Sequence, residues 1–192
     1  MLTQKVVELL IQAARVVLSA QPDSTLTPSQ WMALRFIARA NTFSRTLSGF
    51  AAYQATTRGT ASQTIKSLER GGFLEREKSA RDARSSVFRL TNRGLSVLND
   101  DPMLVLVEAV DTLDERTKSQ LRDSIRRVLA NVTSGQNRMP VGCCRECLFF
   151  LTRRRRSACG AGSKIGFCKA TGLPVEDTEL DLLCVRFQQS VS

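Results

Sequence analysis

The sequence comprises 192 residues, of which 42% are hydrophobic, and it carries a net charge of +10. This hydrophobic fraction suffices for a packed core and excludes a chain that is disordered throughout. The basic excess favours a polyanionic partner, because Lys and Arg release counterions from phosphates, although ribosomal, RNA-binding and membrane-surface proteins share it. The absence of histidine excludes catalysis by His and His metal ligands. Since the sequence also has no phosphate-binding loop and no clear acid–base pair, we expect no enzyme activity.

Residues 1–20 have the apolar spacing of a helix, and the apolar side chains extend beyond one face. Lys5, Glu8 and Arg15 interrupt the apolar run, so the segment fits neither a signal peptide nor a membrane span. We therefore expect a cytoplasmic protein with no membrane partner. A helix with so much apolar surface needs burial on two sides, and a subunit interface would supply the second.

A second helix is predicted to begin at Pro28. Thr27 can accept a hydrogen bond from the first turn, and Gln30 occupies the position of its capping-box partner. The predicted buried face of this helix consists of Trp31, Leu34, Ile37 and Ala38. A third helix is predicted over Thr46–Tyr53.

The next segment predicts a helix followed by a hairpin. The fourth helix is expected over Thr60–Arg70, and Gly71-Gly72 ends it because glycine readily adopts the left-handed conformation. A strand over Phe73–Lys78, a polar loop and a return strand over Ser85–Leu90 follow. This order predicts a mainly α fold with a small β-hairpin wing, a winged helix-turn-helix.

Further helices follow the hairpin. Thr91 is expected to cap one, and residues 102–132 keep a helical pattern in which Asp114 is a second cap. The Gly, Ser, Asn and Pro residues of Thr133–Pro140 indicate a linker. The sequence therefore divides into a DNA-binding and dimerisation domain, residues 1–138, and a small Cys-rich C-terminal appendix, residues 139–192.

The fourth helix and the hairpin provide the predicted DNA contacts. A helix fits the major groove of B-DNA, where Gln63 can pair with adenine, and an Arg at a hairpin tip suits a narrow minor groove. A carboxylate beside that Arg, as in Asp82, can hold its guanidinium in place. The alternative is an ordinary solvated surface. The predicted contact residues are Arg58, Gly59, Thr60, Ser62, Gln63 and Lys66 of the helix, and Lys78, Arg81, Asp82 and Arg84 of the hairpin.

The hairpin sequence resembles a known family signature. Residues 82–94 read DARSSVFRLTNRG, similar to the Asp-x-Arg, strand, Leu-Thr-x-x-Gly wing of the MarR family of transcriptional regulators. Thr60–Arg76 resembles that family's recognition helix and its exit, and Leu26–Trp31 resembles the start of its second helix. The resemblance covers about residues 1–132, with departures around the third helix at Asn41–Ser44 and Thr56–Thr57.

The resemblance implies a triangular homodimer whose N- and C-terminal helices interdigitate and whose two lobes grip a pseudo-palindromic operator in double-stranded DNA. It implies that Arg84 enters the minor groove and that Asp82 orients the wing. It also implies repression, commonly relieved by a ligand or by thiol oxidation.

The appendix contains all six cysteines of the sequence, within residues 143–184. Clustered cysteines without an export signal favour metal ligands or redox thiols over disulfides. Four thiolates suit either tetrahedral zinc or an iron–sulfur cluster, and a metal would stabilise a segment too small for a large core. The predicted ligands are Cys144, Cys147, Cys168 and Cys184, with Cys143 and Cys159 as alternatives.

Two functional interpretations of the appendix remain open. In the first, a DNA-binding regulator senses iron or redox state through these thiols. In the second, the winged helix is architectural or recruits a partner, and the appendix is a structural zinc site without a sensing role. Unliganded redox thiols are a further alternative. The run Arg153–Arg156 would either contact DNA phosphates or form a solvated loop.

Overall fold

The computed structural model describes residues 1–18, 26–78, 86–134, 141–154 and 164–189. The helices are α1 (Leu2–Leu18), α2 (Pro28–Arg39), α3 (Leu47–Tyr53), α4 (Arg58–Arg70), α5 (Asn92–Val97), α6 (Leu104–Asp111) and α7 (Glu115–Ser134). The strands are β1 (Leu74–Lys78), β2 (Ser86–Leu90), β3 (Gly142–Cys143), β4 (Phe150–Arg154), β5 (Lys164–Cys168), β6 (Leu173–Val175) and β7 (Leu183–Cys184).

Side-chain caps fix where the central helices begin. The predicted capping box of α2 is confirmed, because the Thr27 hydroxyl accepts the Gln30 N–H and the Gln30 side chain accepts the Thr27 N–H. Helix α4 begins at Arg58, earlier than the predicted Thr60, because the Thr57 hydroxyl accepts the Thr60 N–H at 3.1 Å.

Helix α4 ends at the predicted glycine pair, and the two glycines have different conformations. Gly71 keeps the helical conformation, and the left-handed one falls on Gly72, at φ 69°. The Phe73 N–H then donates to the Leu68 carbonyl at 2.9 Å, which leads the chain from the helix into β1.

Helices α2, α3 and α4 pack with the hairpin around one apolar core. Strands β1 and β2 pair antiparallel, with Leu74 opposite Leu90 and Lys78 opposite Ser86. The predicted fold class, mainly α with a small β-hairpin wing, is confirmed. The largest fully buried apolar side chains of this core are Phe36, Phe50, Phe88, Leu34, Ile37, Ile65 and Leu68.

The helical pattern predicted over residues 102–132 is interrupted between α6 and α7. Asp114 caps α7 as predicted, because its carboxylate accepts the N–H groups of Arg116 and Thr117 at 3.0 Å each. Helix α7 continues to Ser134, into the predicted linker, and residues 135–140 lie outside the described residues. Within the described part of the chain, no helix is long and apolar enough to cross a membrane.

A buried ion pair connects α2 to the segment that precedes α6. The Arg35 Nε donates to both carboxylate oxygens of Asp101, at 2.8 and 3.0 Å, and both side chains are buried. The Asp101 carboxylate also accepts the Met103 N–H at 2.7 Å. The helix-turn-helix lobe is thereby attached to the helices at the C-terminal side of its domain.

The C-terminal appendix forms two small antiparallel sheets. Strands β4, β5 and β6 form one, in that order, and β3 pairs with β7 in the other. We call residues 141–154 and 164–189 together the Cys-rich segment. It packs against the first domain, since Val185 contacts the helix-turn-helix core and Arg126 of α7 pairs with Glu146 at 2.6 Å.

Candidate nucleic-acid interface and thiol cluster

Helix α4 presents a polar face to solvent. Its Ala61, Ile65 and Leu68 side chains are buried in the core, as the apolar spacing predicts. Among the predicted contacts, Ser62 is half-buried, and the exposed residues are Arg58, Gly59, Thr60, Gln63 and Lys66. This arrangement leaves two cationic groups, an amide and a hydroxyl available to a ligand.

The orientation of α4 is fixed by hydrogen bonds to α2 as well as by the core. The Ser29 and Thr64 hydroxyl oxygens are 3.2 Å apart, and the Gln30 amide donates to the Ser67 hydroxyl at 3.0 Å. These contacts lie on the half-buried side of α4, beside its apolar stripe. They hold the helix against rotation, so the exposed face keeps a constant direction.

The base of the hairpin is tied to α4. The Arg76 guanidinium of β1 donates two hydrogen bonds of 3.0 Å to the Glu69 carboxylate. Lys78, the last residue of β1, is exposed. The predicted tip contacts, Arg81, Asp82 and Arg84, lie outside the described residues.

The Cys-rich segment brings two of the predicted thiol ligands into contact. Cys144 and Cys184 are hydrogen-bonded to each other and are buried, and Cys168 lies in the same apolar cluster as Cys144. Cys147 is half-buried, and its N–H donates to the Cys144 carbonyl at 3.1 Å in a short helical turn. Among the residues that the structure describes, no three Cys, Asp or Glu side chains are close enough together to hold a metal ion.

The two alternative ligands differ in position. Cys143 is half-buried, and its thiol donates to the Glu146 carboxylate at a sulfur–oxygen distance of 3.7 Å. Cys159 lies outside the described residues, as do Arg155 and Arg156 of the arginine run. The backbone of Arg153 and Arg154 belongs to β4, where it pairs with β5.

The environment of the thiol pair favours one thiolate. The hydrogen bond from Cys144 lowers the pKa of Cys184 to about 6, and the Arg186 N–H and the Asn41 side chain act in the same direction. The same contact raises the pKa of Cys144, and burial adds to this effect. The contact therefore favours the thiolate form of Cys184 and the protonated form of Cys144.

Two buried polar residues that no sequence motif indicated lie beside the Cys144–Cys184 pair. Asn41 and Ser44 follow α2 and are fully buried. The Asn41 Nδ2 donates to the Cys144 sulfur at 3.7 Å, and the Ser44 hydroxyl helps to lower the Cys184 pKa. The only signal in the sequence was the departure from the family pattern at these positions.

Comparison with known proteins gives a family match for part of the chain. The model of the MarR family matches residues 24–85 of the sequence. No curated protein matches the chain.

Solved structures reproduce the fold over a larger part of the chain. A MarR transcriptional regulator from Methanosarcina mazei Go1 is 18% identical, with a TM-score of 0.52, and the match covers 69% of this chain and 97% of that one. The transcriptional regulator SlyA is 22% identical, with a TM-score of 0.51 and coverage of 68% and 95%. At these identities the likeness establishes the fold.

Proposed function

Because residues 24–85 carry a winged helix-turn-helix of the MarR family, we propose that the protein is a homodimeric transcriptional regulator that binds a pseudo-palindromic operator in double-stranded DNA. The observation that carries this proposal is the exposed polar face of α4 beside a hairpin tied to the same helix. The net charge of +10 adds attraction to the phosphate backbone. Repression, by blocking access to a promoter, is the mode that we propose.

The terminal helices support the homodimer. Helix α1 has no buried residue among its described side chains, and α6 and α7 also expose apolar ones. Large exposed apolar patches are uncommon on monomeric proteins and mark interaction surfaces. The exposed side chains include Leu2, Val6, Val7, Leu9 and Ile11 of α1, Val105 and Val107 of α6, and Val128 and Val132 of α7.

Binding-site selection from a random duplex pool tests the DNA proposal. The full-length protein should select a site with two related half-sites, and Gln63→Ala should change the preferred base at one position of each half-site. Lys66→Gln should weaken binding to all duplexes and lower the slope of log affinity against log salt by about one, as loss of a phosphate contact does. Arg116→Gln, which removes an exposed charge of the same sign from α7, is the matched control. Equal affinity loss in both charge variants would count against the assignment of α4.

For the Cys-rich segment we propose a thiolate-ligated metal centre, an iron–sulfur cluster or zinc, that makes DNA binding responsive to iron or redox state. The contact between Cys144 and Cys184, with Cys168 in the same cluster, supports the proposal. Donors aimed at these sulfurs, such as the Asn41 amide, favour thiolate ligands. Occupation of a four-thiolate site requires that Cys147 and Cys168 turn toward the pair. Either centre would cross-link β5 and β7 to the short helical turn after β3, which carries Cys144 and Cys147.

Metal analysis of protein purified without oxygen tests this second proposal. A cluster predicts coloured protein with iron and acid-labile sulfide in similar amounts, and a zinc site predicts colourless protein with zinc. Cys168→Ala should lower the metal content in either case. Metal-free protein would refute the centre and leave the Cys144–Cys184 pair as redox thiols. Zinc without any effect of its removal on DNA affinity would support the structural alternative.

A further inference from the structure

The connection between α2 and α3, residues 40–46, lies against the strand that carries Cys184. We call it the α2–α3 loop. The Asn41 N–H donates to the Leu183 carbonyl at 2.8 Å, and Ala40 forms a parallel bridge with the same residue. The Ser44 hydroxyl accepts the Val185 N–H at 3.1 Å. The loop thus contacts the backbone of Leu183 and Val185, the residues immediately before and after Cys184.

Side chains of the loop reach the thiol cluster and its surroundings. The Asn41 amide donates to the Cys144 sulfur at 3.7 Å. The Thr42 N–H donates to the Glu179 carboxylate at 2.8 Å, and the Thr42 hydroxyl donates to the same oxygen. The Arg45 guanidinium lies 3.7 Å from that carboxylate. The loop therefore has a side-chain contact with the thiol pair and a polar contact with the turn that precedes β7.

The opposite end of the loop holds the DNA-binding elements. The Arg45 carbonyl accepts the Phe88 N–H of β2 at 2.8 Å, and the Thr46 hydroxyl caps α3 by accepting the Gly49 N–H at 3.0 Å. A Cβ atom at Gly49 would lie 2.1 Å from the Ser44 carbonyl oxygen, so the loop and α3 are packed without space between them. A displacement of the loop must therefore move α3 or the hairpin.

We propose that the α2–α3 loop couples the state of the Cys144–Cys184 thiol pair to the helix-turn-helix and so sets its affinity for DNA. This inference rests on the proposed function of the winged helix, but it does not depend on which metal or oxidant acts on the thiols. Any event that moves the Cys144 sulfur away from Asn41 removes a partner from a fully buried amide. The loop then loses its fixed position between β7 and α3. Coupling is reciprocal, so DNA binding must also shift the equilibrium between the states of the thiol pair.

Amide hydrogen exchange on the full-length reduced protein tests the structural half of the inference. Cys184→Ala should accelerate exchange several-fold in residues 40–53 while leaving α7 unchanged. The matched control is Arg145→Ala, which removes an exposed ion pair with Asp181 from the same segment. Faster exchange confined to residues 141–189 would overturn the coupling.

A variant of the loop tests the same coupling from the other side. Thr42→Val keeps the shape of a half-buried side chain and removes the hydroxyl that donates to Glu179 and accepts from Arg45. Because every cysteine of the sequence lies in residues 143–184, alkylation by N-ethylmaleimide reports on the C-terminal appendix alone. Thr42→Val should accelerate alkylation of Cys144 and Cys184, measured by peptide mass spectrometry. Unchanged rates would overturn the inference even if Cys184→Ala fails to fold.

The affinity for a duplex selected by the wild-type protein tests the functional half. Cys184→Ala should change this affinity by about fivefold or more relative to Arg145→Ala, the lower end of typical allosteric couplings. The Thr42→Val variant should change it in the same direction. A duplex bound equally by wild type and both variants overturns the coupling alone. A wild-type protein that selects no duplex overturns the proposed function itself.

Discussion

The buried pair of Arg35 and Asp101 makes a strong prediction about stability. Asp101→Asn keeps the size of the side chain and the acceptor for the Met103 N–H, but it leaves the Arg35 charge without a counterion in a buried position. Breaking a buried pair by removing one partner costs about 3–5 kcal/mol. We expect Asp101→Asn to lower the free energy of unfolding by an amount in this range, because both carboxylate oxygens accept hydrogen bonds from the guanidinium.

The chain offers a local probe for this measurement. Its single tryptophan, Trp31, has its ring 5.7 Å from the Arg35 guanidinium carbon, so urea unfolding followed by Trp fluorescence reports on α2. Protein concentration must be held constant, because a dimer couples unfolding to dissociation. The double variant Arg35→Met with Asp101→Asn should recover much of the loss, since it leaves no buried charge.

A second ion pair provides the control. Arg76 and Glu69 have the same bidentate geometry as Arg35 and Asp101, but the Arg76 side chain is 48% exposed. Exposed pairs contribute about 0–1 kcal/mol, so Glu69→Gln should cost far less than Asp101→Asn. Equal losses in the two variants would refute the reasoning that burial sets the cost.

Three further outcomes are expected. Gly59→Ala should keep or slightly raise thermal stability, because the added Cβ meets only the Thr57 hydroxyl at 3.8 Å. It should nevertheless weaken DNA binding in a titration, since the proposed interface brings the backbone of α4 close to DNA at Gly59. Leu9→Glu should convert the proposed homodimer to monomer in sedimentation velocity, whereas Leu148→Glu, also at an exposed leucine, should not. Hydrogen bonds from Thr117 lower the pKa of Asp114 below 3.8. The loss of stability in Asp114→Ala should therefore be complete at pH 7 and should shrink as the pH falls below 3.8, because the wild-type carboxylate then becomes protonated. A loss of stability that does not depend on pH would contradict this.

The helix-turn-helix lobe was predictable because its signals are local. The cap of α2, the buried stripe of α4 and the hairpin each follow from spacing within a few residues. One local inference about α2 was wrong: Ala38 was assigned to the buried face and is exposed. Arg35 is buried instead, because its partner Asp101 is distant in sequence and periodicity does not register such a pairing.

The thiol cluster was only partly predictable. The spacing of Cys144 and Cys147 indicated a site, and the structure places Cys184 in contact with Cys144. The partners from the first domain, Asn41 and Ser44, could not be inferred, because a polar loop normally indicates solvent exposure. Their burial depends on how the Cys-rich segment docks on the first domain, which is a property of tertiary packing.

Helix α2 connects the parts of the molecule that a regulator must coordinate. Its first turn is hydrogen-bonded to α4 through Gln30, its middle is paired through Arg35 with the segment before α6, and the α2–α3 loop follows its last residue. A shift of the loop therefore acts on an element that is fixed both to α4 and to the segment that precedes α6. Because packed elements move as units, a change at the thiol pair would, in the proposed homodimer, alter the spacing of the two α4 helices without contacting either of them.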